Sequence, residues 1–361
     1  MSTDFPLTRT TGAVPDRERE QILADPGFGR HFTDHMARAT WTPRDGWHGH
    51  EVVPLQPYTL HPSAAVLHYG QEVFEGLKAY RHADGSVWLF RPEANARRFA
   101  RSAERLALPA LPEEDFLRSV AELVRADEAW VPGAADEKSL YLRPFMFASE
   151  AFLGVRPAAE VAYAVIASPA GPYFASGVTG VTLWVTETYS RSAKGGTGAA
   201  KCGGNYAASL AAQIEAERHG CDQVMYLDSA GEGTLEESGT MNLCLVTADR
   251  QLLTPALGTI LAGVTRDTIL TLAAEHDLTP VERTVTLAEL REGAASGEVT
   301  EVFAAGTAAV VTPITGFKGA GYEFTVGDGK PGQETTQLRD HVLDIQYGRA
   351  EDRHGWLRRV L

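Results

Sequence analysis

Strand-like and helix-like segments alternate along the whole of this chain, and that alternation constrains its fold more than any other feature. Residues 92–108 place Phe99, Ala103 and Leu106 on one helical stripe, and residues 112–130 form a second amphipathic helix. Apolar runs that read as strands lie between and around them, namely SVWLF, SLYLRPFMF and EVAYAVIAS, and three more follow later in the chain, VTLWVTETY, CDQVMYLD and GTMNLCLVT. The segment VTEVFAAGTAAVVTP ends in small residues, where a backbone could approach a ligand closely. GVTRDTILTLAAEHDL reads as a further helix, opening after Gly263. This order predicts a mixed α/β protein and leaves the strand order open.

The length of the chain and one Pro- and Gly-rich stretch predict two domains. A chain of 361 residues is long enough for about two cores. The stretch PAGPYFASG interrupts the pattern of elements and is the candidate linker. We therefore expect a smaller α/β domain over residues 1–168, a linker over 169–178 and a larger α/β domain over 179–361.

Charge and composition narrow the kinds of partner. A net charge of -14 repels nucleic acid and anionic membranes, so small molecules are the expected partners. The three cysteines form no paired motif, the first 21 residues lack the apolar core of a signal peptide, and no apolar run is long enough to span a membrane. These features favour a cytoplasmic protein with reduced thiols. Histidine pairs such as His31 and His35 lack carboxylate or cysteine partners at ligand spacing, so no metal site is expected.

A single lysine stands in the most glycine-rich segment, GGTGAAKCGGNY. Lys201 does not fit the P-loop pattern, because alanine precedes it and cysteine follows it. Glycines on both sides let the backbone fold closely around a flat or anionic ligand. A lysine held beside apolar groups can have a lowered pKa and act as an amine nucleophile, although the spacing alone also allows an exposed loop lysine. A helix is predicted next, with Asn205 as its N-cap and Gly220 as its C-cap.

Several motifs, taken together in their order along the chain, resemble those of one protein family. They are KCGGNY, LEESGTMNLCL, FTDHM, LHYGQEVFEGLKAY, LFRPEANARRFARSAERL, YLRP, GVTR, EVFAAGTA and IQYG, which together span most of the chain. The chain in these motifs resembles the branched-chain aminotransferases, which are pyridoxal-phosphate enzymes of fold type IV. The resemblance implies a two-domain fold-type-IV architecture, pyridoxal 5'-phosphate as cofactor, and a homodimer.

The resemblance also assigns residues to the cofactor. Lys201 would form the internal aldimine and then carry a proton between the substrate Cα and the cofactor. Glu237 would keep the pyridine nitrogen protonated, and its neighbour Glu236 is expected to be a surface charge. Arg98 would bind the phosphate from the flank of the Phe99 stripe, whereas Arg97 and Arg101 are expected to face solvent. The remaining cofactor residues implied by the resemblance are Tyr206, Val264, Thr265 and Thr307.

The substrate pocket implied by the resemblance must accept an apolar side chain and also the side chain of glutamate. Aromatic walls and a few polar edges would serve both, with Arg143 near the distal carboxylate of glutamate. The matching residues are Phe28, Tyr69, Tyr141, Arg143, Tyr173, Thr240 and Ala308.

The activity implied is reversible, ping-pong transamination between leucine, isoleucine or valine and 2-oxoglutarate. A D-amino-acid aminotransferase or an aminodeoxychorismate lyase of the same fold is the alternative, but those relatives are shorter and are not expected to carry FTDHM and YLRP together. A non-enzymatic binding protein on this fold is the other alternative. The joint presence of Lys201, Glu237, Tyr206 and Arg98 argues against it.

Overall fold

The computed structural model describes residues 4–172 and 179–361. The α-helices in these residues are α1 (Asp16–Ala24), α2 (Val66–Tyr69), α3 (Pro92–Arg105), α4 (Glu113–Ala126), α5 (Gly203–Arg218), α6 (Val264–Leu272), α7 (Leu287–Ser296) and α8 (Gln333–Gln346). The strands before the gap are β1 (His35–Thr42), β2 (Gly46–Pro54), β3 (Glu72–Phe74), β4 (Leu77–Arg81), β5 (Val87–Phe90), β6 (Ser139–Ala148) and β7 (Val161–Ala170). Those after it are β8 (Val181–Thr186), β9 (Gln223–Leu227), β10 (Leu235–Ser238), β11 (Met241–Thr247), β12 (Gln251–Thr254), β13 (Thr279–Glu282), β14 (Val299–Gly306), β15 (Val310–Gly319), β16 (Tyr322–Thr325) and β17 (Leu357–Arg359).

The chain divides into two compact units. Unit 1 consists of Met1–Pro172, Ala200–Gly203 and Asp344–Leu361, and unit 2 of Tyr173–Ala199 and Gly204–Leu343. Two segments expected in the larger domain therefore lie in unit 1. The backbone of Lys201 is hydrogen-bonded to Phe74 and Ser102, and β17 pairs with β5, which explains both placements.

Unit 1 is built on an antiparallel sheet covered by two helices. Its strand order is β17-β5-β4-β6-β7-β1-β2, with β3 beside β6. α3 and α4 pack together, and their apolar stripes, including Phe99 and Phe116, are buried in the core of this unit. The stripe residues are spaced three and four apart, so one face of each helix reaches the core.

Unit 2 contains a mixed sheet with the strand order β10-β9-β8-β15-β14-β11-β12-β13 and with β16 beside β15. β8 runs parallel to both β9 and β15, and β12 runs parallel to β13. α6 and α7 both pack on β14. The hairpin of β10 and β11 turns at Gly239, whose φ of +58° lies in the left-handed region that favours glycine.

The predicted mixed α/β class is confirmed, and each predicted helix and strand has a counterpart in the described residues. Two details are wrong. Asn205 is not the N-cap of α5, which begins at Gly203; its side chain instead bonds Thr197, accepting from the hydroxyl (2.7 Å) and donating to the carbonyl (2.9 Å). The expected linker is also too long, because Pro169 and Ala170 end β7. Residues 173–178 lie outside the described part of the chain.

Candidate active site

Lys201 is anchored by its backbone and surrounded by groups of unit 1. Its carbonyl accepts a hydrogen bond from the Phe74 amide (3.0 Å), and its amide donates to the Ser102 hydroxyl (2.9 Å). The next residue, Cys202, is buried in the core. The Lys201 Nζ lies 4.9 Å from the centroid of the Phe74 ring. The glycine-rich loop is therefore fixed at the lysine itself, which presents its amine to an aromatic face.

Two residues of β6 continue this aromatic and cationic surface. Tyr141 and Arg143 are two positions apart and so lie on the same face of the strand. Arg143 Nη2 donates to the Tyr141 hydroxyl (3.0 Å), and its guanidinium lies 4.8 Å from the centroid of the Phe74 ring. Phe28 packs edge-on against Tyr141 at 5.1 Å. A Cβ at Gly76 would stand 2.0 Å from the Tyr141 hydroxyl, so glycine leaves the space that the phenol occupies.

Arg98 and Glu75 form a buried ion pair in the same unit. Arg98 Nε donates to Glu75 Oε1 (2.7 Å) and Nη2 to Oε2 (2.8 Å), and both residues are buried. Asn95 Nδ2 (2.7 Å) and the Gly76 amide (3.1 Å) also donate to Oε2. This bidentate arrangement holds the guanidinium in one orientation. Arg98 thus lies on the buried side of α3, while Arg97 and Arg101 are exposed as expected.

Burial and neighbouring charge set the protonation of the lysine. Burial, reinforced by the Arg98 and Arg143 cations and opposed by Glu75 and Tyr141, lowers the pKa of Lys201 to about 8. Burial alone would raise the pKa of Glu75, but Arg98, Lys201 and Asn95 hold it below the usual value. The group therefore combines an ionised carboxylate with an amine that loses its proton readily.

A second polar group surrounds Glu237 in unit 2. Its Oε1 accepts from Asn242 Nδ2 (2.9 Å) and from the Leu261 amide (3.0 Å). Arg191 forms an ion pair with Oε2, and its Nη1 donates to the carbonyls of Gly198 (3.1 Å) and Thr259 (3.4 Å). The Glu237 carboxylate is thereby buried and held in one orientation by an arginine and two neutral donors.

The expectation for Glu236 is wrong. This residue is 3% exposed, because every position of β10 is buried, not only those of one face. Burial raises the pKa of Glu236, and the Thr259 hydroxyl and Arg191 oppose that effect. Its Oε2 has no hydrogen-bond partner within the residues that the structure describes. Both glutamates are therefore buried carboxylates in different environments.

The other expected cofactor residues of unit 2 lie at the ends of elements. Val264 and Thr265 open α6, whose N-cap, Gly263, has no side chain to cap the helix. Thr307 and Ala308 form the turn between β14 and β15, and Thr240 lies exposed in the turn between β10 and β11. Tyr206 lies in the first turn of α5. Helix starts and strand turns present backbone N–H groups, which suits the recognition of an anion.

The expected site residues thus fall into two groups that belong to different units. Residues of unit 1 are Lys201, Arg98, Tyr141, Arg143 and Phe28. Residues of unit 2 are Tyr206, Glu237, Thr240, Val264, Thr265, Thr307 and Ala308. Tyr69 is 43% exposed and its hydroxyl donates to the Leu153 carbonyl, so its assignment to the substrate pocket stays a prediction. Tyr173 lies outside the described residues.

Sequence reasoning missed the partners of these groups. They are Phe74, Glu75 and Asn95 around Lys201 and Arg98, and Arg191 and Asn242 around Glu237. A glutamate between apolar residues, as Glu75 is in VFEGL, was an available signal, since an unpaired buried carboxylate is costly. Nothing in the local pattern distinguishes Arg191 from an exposed arginine.

Comparison with known proteins places this geometry in a family. The model of the amino-transferase class IV family matches residues 72–317. The branched-chain-amino-acid aminotransferase of Mycolicibacterium smegmatis is 52% identical over 99% of this chain and 98% of its own length. The branched-chain amino acid aminotransferase of Escherichia coli superposes with a TM-score of 0.73 at 29% identity, covering 90% of this chain and 100% of that one.

A third similar protein has been solved with ligands. This T.th. branched-chain amino acid aminotransferase, solved with pyridoxamine 5'-phosphate, gives a TM-score of 0.72 at 28% identity and covers 90% of this chain and 99% of that one. The same enzyme has been solved with N-(5'-phosphopyridoxyl)-L-glutamate and with 4-methylvaleric acid.

This chain belongs to the class IV aminotransferase family. The resemblance to branched-chain aminotransferases and the fold-type-IV architecture, both predicted from the sequence motifs, are confirmed. No helix in the described residues is both long and apolar enough to cross a membrane.

Proposed function

We propose that this protein catalyses reversible transamination between leucine, isoleucine or valine and 2-oxoglutarate, with pyridoxal 5'-phosphate as cofactor. The names of its relatives support the branched-chain substrates. The ligands of the T.th. enzyme, a phosphopyridoxyl-glutamate conjugate and a branched carboxylic acid, support glutamate and leucine-like molecules as alternative occupants of one site. The two substrates would react in alternating half-reactions.

The observation that carries the proposal is the environment of the Lys201 amine. With a pKa of about 8, about one amine in ten is neutral at pH 7, against about one in three thousand for an ordinary lysine. A neutral amine is the form that attacks a carbonyl carbon. Lys201 would hold the cofactor covalently through the cofactor's carbonyl carbon, whose oxygen would leave as water, and its amine, when free, would accept a proton from the substrate Cα.

The donors and acceptors present suit the functional groups of pyridoxal phosphate. When bound, this cofactor supplies an electron sink that stabilises a carbanion at the substrate Cα. We assign the phosphate to Arg98, Thr307 and the N-terminal amides of α6 at Val264 and Thr265. The ring nitrogen would be held protonated by Glu237, and the 3' oxygen would accept from the hydroxyl of Tyr206.

The surface beside Lys201 suits a dual-specificity substrate pocket. Phe28, Phe74 and Tyr141 offer apolar faces for a branched side chain. Arg143 Nε is buried without a hydrogen-bond partner in the described chain, so a carboxylate of glutamate or 2-oxoglutarate would satisfy it. Tyr69, Tyr173, Thr240 and Ala308 complete the proposed substrate set. We further propose a cytoplasmic homodimer.

A pair of lysine variants tests this function. We expect Lys201→Ala to bind pyridoxal phosphate without the visible absorbance of the covalent form, and to lose turnover with leucine and 2-oxoglutarate. Lys194→Ala, which changes an exposed lysine of the same loop, should match the wild type in both measurements. Turnover near the wild-type rate in Lys201→Ala would refute the proposed role. Activity with D-alanine but not with leucine would favour the D-amino-acid alternative.

A further inference from the structure

Arg191 pairs with the Glu237 carboxylate and is not among the residues assigned to the cofactor or the substrate. Arg191 lies in the segment after β8, ten positions before Lys201, and its side chain is 4% exposed. Its guanidinium forms the ion pair with Glu237 while donating to two backbone carbonyls, Gly198 O and Thr259 O. One buried arginine therefore links the carboxylate to the glycine-rich loop and to the loop before α6.

We propose that Arg191 is a positioning residue which keeps Glu237 ionised and correctly oriented for the cofactor's ring nitrogen. This inference rests on the proposed function. A carboxylate that is 1% exposed ionises only when a cation and hydrogen-bond donors replace the water it has lost. Asn242 and Leu261 supply two neutral donors, and Arg191 supplies the compensating charge.

The other titratable groups near this pair do not replace Arg191. Glu236 interacts with Arg191 and with Asp228, and neither carboxylate can supply the positive charge that an ionised Glu237 needs. Tyr226 also faces Arg191, and burial raises its pKa to about 12, so it stays neutral around pH 7. Arg191 supplies positive charge in direct contact with the Glu237 carboxylate. Its removal should therefore leave Glu237 protonated at a pH where the wild-type group is charged.

Three variants separate the charge of Arg191 from its packing. Arg191→Gln keeps hydrogen-bonding capacity and removes the charge, whereas Arg191→Lys keeps the charge and loses the planar fork. Arg250→Gln is the matched control, because Arg250 also pairs with a carboxylate, on Glu334, and donates to backbone carbonyls elsewhere in unit 2.

The main readout is the affinity of apo-protein for pyridoxal phosphate across a pH series. We expect Arg191→Gln to bind about tenfold more weakly at neutral pH, because the ring nitrogen loses a charge-assisted bond, and to recover as rising pH ionises Glu237. Arg191→Lys should recover much of the affinity, and Arg250→Gln should match the wild type. A uniform loss at every pH, with no rescue by lysine, would reduce Arg191 to a packing role and overturn the proposal.

Double variants identify the carboxylate that Arg191 controls. Adding Arg191→Gln to Glu237→Gln should cause no further loss of affinity, whereas adding it to Glu236→Gln should cause the full loss. The reverse pattern would show that Arg191 acts through Glu236 and would overturn the proposal. If the wild type bound no pyridoxal phosphate, the proposed function would fail; wild-type binding that Arg191→Gln leaves unchanged would refute this inference alone.

Discussion

At the residue scale, Arg97 and Arg98 show how one position along a helix changes the role of an arginine. Arg98 neutralises the fully buried Glu75, whereas the Arg97 side chain is 56% exposed and reaches Glu113 at 3.4 Å. Arg98→Ala would leave a buried carboxylate without its cation, which costs about 3–5 kcal/mol of unfolding free energy. Arg97→Ala should cost about 0–1 kcal/mol. Urea unfolding of the two apo-proteins measures the difference.

Cofactor affinity adds a second measurement to the same pair. If Arg98 also binds the phosphate, Arg98→Ala should weaken pyridoxal phosphate binding by about one to two orders of magnitude, with no effect in Arg97→Ala. Glu75→Gln/Arg98→Gln removes both charges and should regain stability relative to Arg98→Ala without regaining affinity. Equal losses of affinity in Arg97→Ala and Arg98→Ala would show that the buried face of α3 does not bind the phosphate.

At the element scale, β10 positions two adjacent glutamates that composition cannot distinguish. Asn242, the Leu261 amide and Arg191 contact the Glu237 carboxylate, whereas Glu236 Oε2 is buried without a hydrogen-bond partner in the described residues. Glu237→Gln should slow the leucine half-reaction by about two orders of magnitude, because the ring nitrogen loses its ionised partner. Glu236→Gln should leave that rate close to the wild type. Single-turnover rates decide the assignment, and slowing confined to Glu236→Gln would reverse it.

Glu236 should instead affect stability. Because its folded pKa is raised above 4.5, the native state holds a proton that the unfolded state releases. Its contribution to the unfolding free energy is therefore present below pH 4.5 and is lost as pH rises through the folded pKa. Glu236→Gln should remove this part of the pH dependence, measured by urea unfolding over that range. An unchanged profile would mean that Glu236 does not titrate as a buried group.

Elements were more predictable from the sequence than the partners of their side chains. The stripes of α3 and α4 follow from local spacing, and the buried face of α3 already separates Arg98 from Arg97. The burial of Glu236 was not predictable by alternation, since all four residues of β10 are buried and both faces of this strand are therefore covered. Pairings such as Arg98 with Glu75, or Arg191 with Glu237, join residues distant in sequence and leave no local pattern.

At the scale of the whole molecule, the chain does not divide at a single boundary. Ala200–Gly203 and Asp344–Leu361 belong to unit 1 through long-range hydrogen bonds and through the pairing of β17 with β5. The composition of the sequence reveals a Pro- and Gly-rich stretch. It does not reveal that two later segments of the chain pack back onto unit 1. Lys201 is therefore attached to the antiparallel sheet of unit 1 although most of its sequence neighbours belong to unit 2.

The proposed homodimer makes a prediction about one surface of unit 1. Residues 63–69 and 151–155 are joined by the Ala64–Ala151 bridge and by the bond from the Tyr69 hydroxyl to Leu153 O. They expose Leu67, Leu153 (61%) and Val155 (87%). Neighbouring apolar side chains left exposed in this way are typical of an interaction surface. A second copy of this chain is the occupant that the family resemblance implies.

The Leu153→Asp substitution should therefore shift the protein from dimer toward monomer, because the dimer would have to bury an unpaired charge. Leu257→Asp is the control, since Leu257 is also an exposed leucine but lies in unit 2. Sedimentation equilibrium gives the dissociation constant, which we expect to rise at least about tenfold for Leu153→Asp and to stay unchanged for Leu257→Asp. A wild type that sediments as an active monomer would refute the dimer. A dimer weakened only by Leu257→Asp would move the interface to unit 2.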